Sequence, residues 1–229
     1  MNILRFLKKC VMPHEIRPRT IPIGLYQGIR MEIDLQNQSQ LFYGLWEAET
    51  HSWMRKLSSG IKTAIDIGAG CGEQTLYFLL KTGANKVYAI EPDSAKLDAL
   101  LRNVKLNRPI GSKKFDFISK FVGKADDDHH FSLDSLYEQV EFPCFIKMDI
   151  EGGELDALMG AKKFLKQPAT SWLVETHSYR LERECQKIFL SQGLLTKILY
   201  NAWWRFFLPE QRPLEMNRWM IAYRSASPA

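Results

Sequence analysis

The chain has little cysteine, and what it has is scattered: Cys10, Cys71, Cys144 and Cys185 form no CxxC pair. That spacing argues against a structural zinc site and fits free thiols in a reducing compartment. No apolar run is long enough to cross a bilayer. Residues 1–10 lack the sustained apolar core and small-residue cleavage site of a signal peptide, so a cytoplasmic protein is expected. That segment can form a short amphipathic helix at a membrane surface; packing against its own domain is the simpler expectation. Basic residues are not clustered either. The formal charge of +5 is spread over pairs such as Lys8-Lys9, Lys113-Lys114 and Lys162-Lys163, which read as solvated surface, so no nucleic-acid partner is expected. Repeats, low-complexity stretches and a linker dividing two domains are also missing.

What is present is enough for one large core in 229 residues. The pattern predicts an N-terminal extension over residues 1–58 and an α/β domain over 59–229. In the extension, Pro13 to Pro22 reads as an irregular lead-in, Gly24 to Leu35 as a hairpin turning at Tyr26-Gln-Gly28, and Leu41 to Leu57 as a covering helix. From Ile61 onward strand and helix alternate, which predicts a mostly parallel sheet covered on both faces. The expected strands are Ile61–Ile67, Val87–Ile90, Phe115–Val122, Cys144–Ile150 and Ser171–Glu175, with Leu195–Tyr200 and Trp219–Tyr223 as a final pair. Helices are expected over Glu73–Lys81, Ser94–Val104, Glu154–Leu165 and Leu181–Ser191.

The most informative stretch is Asp66-Ile-Gly-Ala-Gly-Cys-Gly72. Gly68, Gly70 and Gly72 let the chain turn sharply after the first core strand and leave room for a ligand to approach the backbone. The next strand ends at Glu91, a carboxylate able to accept hydrogen bonds from both hydroxyls of a ribose. A pyrophosphate would be repelled by Asp66 before the turn and Glu73 after it, whereas a ligand with ammonium and sulfonium centres would be attracted. S-adenosylmethionine (SAM) is therefore the expected cofactor, in preference to NAD.

Acids recur at the strand ends. Asp149 and Glu175 join Asp66 and Glu91 at the edge where open parallel sheets bind ligands. If the fourth strand reaches Glu151, then Lys147, Asp149 and Glu151 share one face, an arrangement that is costly unless it holds something. One acid alone would read as a helix cap. His129-His130 beside Asp126-Asp-Asp128 reads as a solvated loop rather than a metal site, and Trp203-Trp204 with Phe206-Phe207 as core packing rather than an acceptor pocket. Trp46-Glu47 falls where the covering helix can reach the cofactor's ammonium.

Together, Asp66–Gly72, Ile90-Glu-Pro92, Asn103–Asn107, Leu133–Leu136, Lys147-Met-Asp-Ile-Glu-Gly-Gly-Glu154, Gly160-Ala161 and Val174-Glu-Thr-His177 resemble the signatures of the FkbM-type SAM-dependent methyltransferases. The resemblance runs from about Leu41 to His177. It departs where Gly70 replaces a usual Asn, and where the segment between the third and fourth strands is short. It implies a Rossmann-like class I methyltransferase fold: a mostly parallel seven-stranded sheet with the last strand antiparallel. It also implies O-methylation of a hydroxyl on a sugar or small natural product. Alternatives are a nitrogen or macromolecular acceptor, or an inactive SAM-binding subunit; Asp149-Ile-Glu-Gly152 stands where an amino-methylating tetrad would be.

Methyl transfer is an in-line displacement and needs help removing the hydroxyl proton. His177, just past the fifth strand, is the first candidate base, since imidazole titrates near neutral pH; a structural loop histidine is the competing reading. Asp149 is the second candidate base, and it is also placed among the cofactor-binding residues with Asp66, Gly68, Gly70, Gly72 and Glu91. Lys147, Glu151 and Glu175 are expected at the acceptor. Asp149 with Glu175 or His177 can alternatively hold a divalent metal that lowers the hydroxyl's pKa.

Overall fold

The computed structural model describes residues 14–107, 113–202 and 216–225. The expectations for residues 1–10 and for Trp203, Trp204, Phe206 and Phe207 lie outside the described residues. The chain opens with β1 (Ile16–Thr20) and β2 (Arg30–Asp34), which pair antiparallel. The hairpin's first strand thus lies in the segment expected to be irregular. Pro18 disguises it, yet a two-stranded ribbon has only edges, where proline is tolerated.

The continuous helix expected over Leu41–Leu57 is in fact broken. One helix, Leu35–Phe42, is capped by the Asp34 side chain, and a second, His51–Leu57, follows a 3-10 turn. Between them Gly44 has φ +69°, and a Cβ on Gly24 would lie 2.7 Å from the Gly44 Cα, so this close backbone crossing excludes a helix there.

The remaining strands are β3 (Thr63–Ile67), β4 (Lys86–Ile90), β5 (Lys114–Ile118), β6 (Phe121–Gly123), β7 (His130–Ser132), β8 (Cys144–Met148), β9 (Thr170–Thr176), β10 (Leu195–Leu199) and β11 (Arg218–Tyr223). Seven of them form one sheet in the order β10-β11-β9-β8-β3-β4-β5. β11 runs antiparallel to both neighbours and the other pairs are parallel. Strands β3, β8 and β9 are buried along their whole length, as a parallel sheet covered on both faces requires.

Alternation divides their side chains. Ala64, Val87, Phe145, Leu173 and Trp219 face the helices Glu73–Lys81 and Ser94–Leu106. Ile21, Tyr26, Met31 and Met54 of the N-terminal segment pack into that same core. Ile65, Tyr88, Ile146, Trp172 and Met220 face the other side, against Leu136, Leu158, Phe164 and Phe189.

Three expected elements end earlier than the sequence suggested. The third strand stops at Ile118, and Phe121–Gly123 pairs instead with His130–Ser132 in a small parallel ribbon. The helix expected over Glu154–Leu165 is two helices, Glu154–Met159 and Lys162–Lys166. A Cβ on Gly160 between them would lie 2.0 Å from the Gly123 carbonyl oxygen, so that ribbon is where the chain bends. β8 stops at Met148, short of Glu151. Among the described residues no helix is long and apolar enough to cross a membrane.

Candidate active site

Because β4, β3, β8 and β9 are neighbours and parallel, their carboxyl ends line one edge of the sheet. The turn after β3 and the turn after β8 touch there: a Cβ on Gly68 (φ +73°) would lie 1.9 Å from the Asp149 carbonyl oxygen. The Asp149 N–H donates to Ile67 O at 2.9 Å, the last rung of the parallel β3–β8 ladder before β3 turns away at Gly68. Gly70, by contrast, has open space where a side chain would project; the nearest atom to its Cβ would be a Glu73 carboxylate oxygen at 3.8 Å. Gly72 opens the helix Glu73–Lys81 and packs against Leu100.

A cleft of about 390 Å³ opens beside this turn, lined by Gly68, Gly70, Glu91 and Asp149, with Ile90, Phe121, Val122 and Ile150 as its apolar walls. Glu91 is buried and held by two backbone amides: Gly70 N–H donates to Oε2 at 2.8 Å and Asp93 N–H to Oε1 at 3.0 Å. Each carboxylate oxygen keeps capacity for a further donor.

Deeper in, β3 and β8 place Asp66 opposite Lys147. Asp66 accepts from Thr75 Oγ1 at 2.6 Å, and the Lys147 Nζ lies 3.6 Å from its other oxygen and 3.8 Å from Asp149 Oδ2. That Nζ also donates to Gly68 O at 3.4 Å. Burial works against the Lys147 charge, but Asp66 and Asp149, with Glu47 and Glu175 beyond, hold it protonated above its ordinary value. Burial pushes the Asp66 carboxyl up in spite of Lys147.

Glu47 enters from the N-terminal segment. It alone among the described non-glycine residues has a positive φ, at 50°, and its Oε2 accepts from Gln74 Nε2 at 2.7 Å. Burial raises its carboxyl well above the usual range, opposed by Lys147 and reinforced by Glu175, Asp149 and Glu73. Glu73 is raised by burial as well.

At the ends of β8 and β9 a histidine is enclosed by acids. The His177 side chain is 4% exposed; its Nδ1 meets Glu154 Oε1 at 2.7 Å, and its Nε2 lies 3.3 Å from Asp149 Oδ1 and 3.4 Å from Glu175 Oε2. Asn217 donates to the other Glu175 oxygen at 3.1 Å. Burial pulls the imidazole's pKa down, but the carboxylates of Asp149, Glu154 and Glu175 outweigh it and hold it up at about 11. For Asp149 burial likewise disfavours the charge, and Lys147 and His177 more than offset it, leaving its carboxyl well below the usual range.

The structure thus brings Asp66, Lys147, Asp149, Glu175 and His177 into one cluster, and gathers Gly68, Gly70 and Glu91 around the adjoining cleft. Glu151 does not align with Lys147: beyond the end of β8 it is exposed at the cleft rim. Gly72 does not line the cleft. Asp127 caps the backbone N–H groups of His129 and His130 in an exposed turn, as a solvated loop would. Sequence reasoning missed Glu154, whose position at a helix start signals only a favourable dipole contact.

The seven-stranded sheet, with β11 antiparallel to its neighbours, is a fold shared with solved methyltransferase structures. Residues 127–220 match the FkbM methyltransferase domain. That match begins after the glycine turn and Glu91, so those rest on geometry. No curated protein matches the chain in sequence. Among solved structures, the methyltransferase FkbM from Methylobacillus flagellatus KT is 18% identical, with a TM-score of 0.57 over 82% of this chain and 54% of that one. The chain therefore spans about half the length of that protein. The precorrin-6y C5,15-methyltransferase from Geobacter metallireducens GS-15 is 11% identical, with a TM-score of 0.52 over 78% of this chain and 89% of its own. The METTL16 methyltransferase domain is 17% identical, with a TM-score of 0.53 over 76% and 65%. At these identities the likeness is one of fold.

Proposed function

We propose that the protein transfers the methyl group of SAM to a hydroxyl oxygen of a small molecule, a sugar or natural product, in the cytoplasm. The observation that carries this is one edge holding two unlike ends: a cleft with an amide-pinned carboxylate, Glu91, and beside it the buried Asp149–His177 pair. The residues fit the cofactor. Glu91 can take both ribose hydroxyls, the apolar walls suit an adenine, and the buried carboxylates of Asp66, Glu47 and Glu73 suit cationic centres. When bound, SAM supplies a methyl group on a sulfonium and leaves as a thioether.

The chain's own part is to align and to move a proton. Gly68 and Gly70 allow the approach to the backbone, and Asp149, the acid common to cleft and cluster, faces the acceptor's side. His177 has to give up its own proton before it can take the acceptor's, because three carboxylates keep it charged. Positive charge arriving in the cleft lowers that pKa, and the proton on Nε2 leaves to solvent by way of Asp149, which lies beside that nitrogen and lines the cleft. A divalent ion at Asp149, Glu175 and His177 is the second reading of the proton step, favoured by the closeness of their ligand atoms.

The test is SAH release from SAM over a panel of hydroxyl-bearing acceptors. His177→Ala should lower turnover by roughly 10²–10⁴ with little change in SAH affinity. Failure of the parent protein to bind SAM or SAH, or tighter binding of NAD, would sink the proposal.

A further inference from the structure

The His177 ring is hydrogen-bonded at one nitrogen, and at the other it meets two carboxylates at ion-pair distance. Nδ1 is held at 2.7 Å by Glu154, a carboxylate on the helix Glu154–Met159 that is itself fully buried. Nε2 is buried, makes no hydrogen bond, and lies between Asp149 Oδ1 and Glu175 Oε2. One ligand atom from each of Asp149, Glu175 and His177 falls within 4.8 Å of the others. Atoms bound to one ion at ~2.0–2.2 Å stand ~3.0–3.5 Å apart, and the two distances from Nε2 are 3.3 and 3.4 Å.

A carboxylate on the far nitrogen is the usual support of a metal-binding imidazole: it fixes the tautomer and turns the ring toward the ion. The surroundings also call for positive charge. Glu47, Asp66 and Glu73 are buried nearby, and Lys147 is the lysine set among them.

Resting on the methyltransferase reading above, and with the ion replacing both the proton on Nε2 and His177's part as base, we propose that Asp149, Glu175 and His177 form a divalent-cation site, with Glu154 as the positioning residue that presents Nε2 to the ion. Two carboxylate oxygens and an imidazole suit Mn²⁺ and the neighbouring first-row ions better than Ca²⁺, which prefers oxygen alone. Asp149 also lines the cleft, so the ion sits where an oxygen-bearing acceptor would meet the methyl donor.

The experiment is titration of the full chain with Mn²⁺, with and without saturating SAH, read by calorimetry and by the Mn²⁺ EPR signal. One ion per chain is expected, with nitrogen coupling in the EPR spectrum that disappears in His177→Gln. Glu175→Gln should weaken Mn²⁺ binding at least tenfold. Glu154→Gln, which touches no ion, should weaken it about 10- to 100-fold. SAH titration of each variant reports whether the fold is retained. Mn²⁺ bound equally well by the parent and His177→Gln, or no nitrogen coupling, or no binding at millimolar ion while SAH still binds, overturns the metal site and leaves the methyltransferase reading intact. Loss of SAH binding by the parent protein overturns that reading instead.

Discussion

Glu91→Gln is the sharpest single test of the cleft. The side chain stays the same size, so nothing is lost in packing. What changes is the acceptor count. The carboxylate accepts from Gly70 N–H on one oxygen and Asp93 N–H on the other. An amide has one oxygen, so one of these backbone donors must face an NH₂ group. Losing a hydrogen bond to a charged group costs about 1.5–3 kcal/mol, and the stranded donor adds a similar penalty. A nucleoside that uses the same carboxylate for its ribose hydroxyls also loses a charged acceptor. The affinity for SAH should therefore fall about 10- to 150-fold. Calorimetry of parent and variant, with thermal unfolding alongside, makes the measurement, and the melting temperature should fall as well because the Gly70 turn loses its anchor. A dissociation constant within about twofold of the parent, at an unchanged melting temperature, would refute the assignment of Glu91 to the ribose.

Lys147→Met should destabilise the protein by about 3–5 kcal/mol in urea unfolding, because Asp66 and Asp149 lose their buried cation; an unchanged midpoint would show that those acids do not depend on it. Glu47→Gln should raise the melting temperature of the ligand-free protein near neutral pH and weaken SAH binding. Its carboxyl is raised by burial, so ionised Glu47 costs stability that grows as pH climbs above 4.5; lower stability of the variant at neutral pH would contradict this. For His177 the sign runs through a raised base. Its contribution is complete below its ordinary 6.5 and is lost as pH rises toward about 11, so His177→Gln should flatten the alkaline decline in stability measured without added metal. Gly160→Ala should lower the melting temperature sharply, since the new methyl group would collide with the Gly123 carbonyl; a neutral outcome would mean that the small ribbon yields easily.

The parallel core was legible because its signals are local. Thr63–Ile67 is a buried run closed by a glycine turn, and the helix Glu73–Lys81 follows within the same few residues. Where the sequence misled, the deciding contact was distant. Pro18 and its flanking arginines hide β1, whose strand character comes from pairing with Arg30–Asp34. Gly44 reads as a tolerable helix residue until it is seen packed on Gly24. The extension of β8 to Glu151 failed because its neighbour β3 turns away at Gly68 (φ +73°) and leaves Glu151 no strand to pair with, which the alternation of Lys147, Asp149 and Glu151 does not reveal. The Glu154–His177 contact spans 23 residues and joins a helix start to a strand end.

Each acid on its own has an ordinary explanation, and the sheet order removes it. Asp66, Asp149 and Glu175 end three neighbouring strands, so folding drives their carboxylates together whatever each would do alone. Two of the groups that enter the same cluster from outside the sheet, Glu47 and Glu154, are further carboxyl groups rather than basic partners. Lys147 and a protonated His177 are the positive charges that the described residues set among them. A fold that only needed stability would be served as well or better by apolar side chains at these buried positions. The arrangement gains its value when a cation arrives. On the proposed function a sulfonium in the cleft would meet part of that demand, and an ion between Asp149, Glu175 and His177 would meet the rest at the point where the acceptor's proton has to leave.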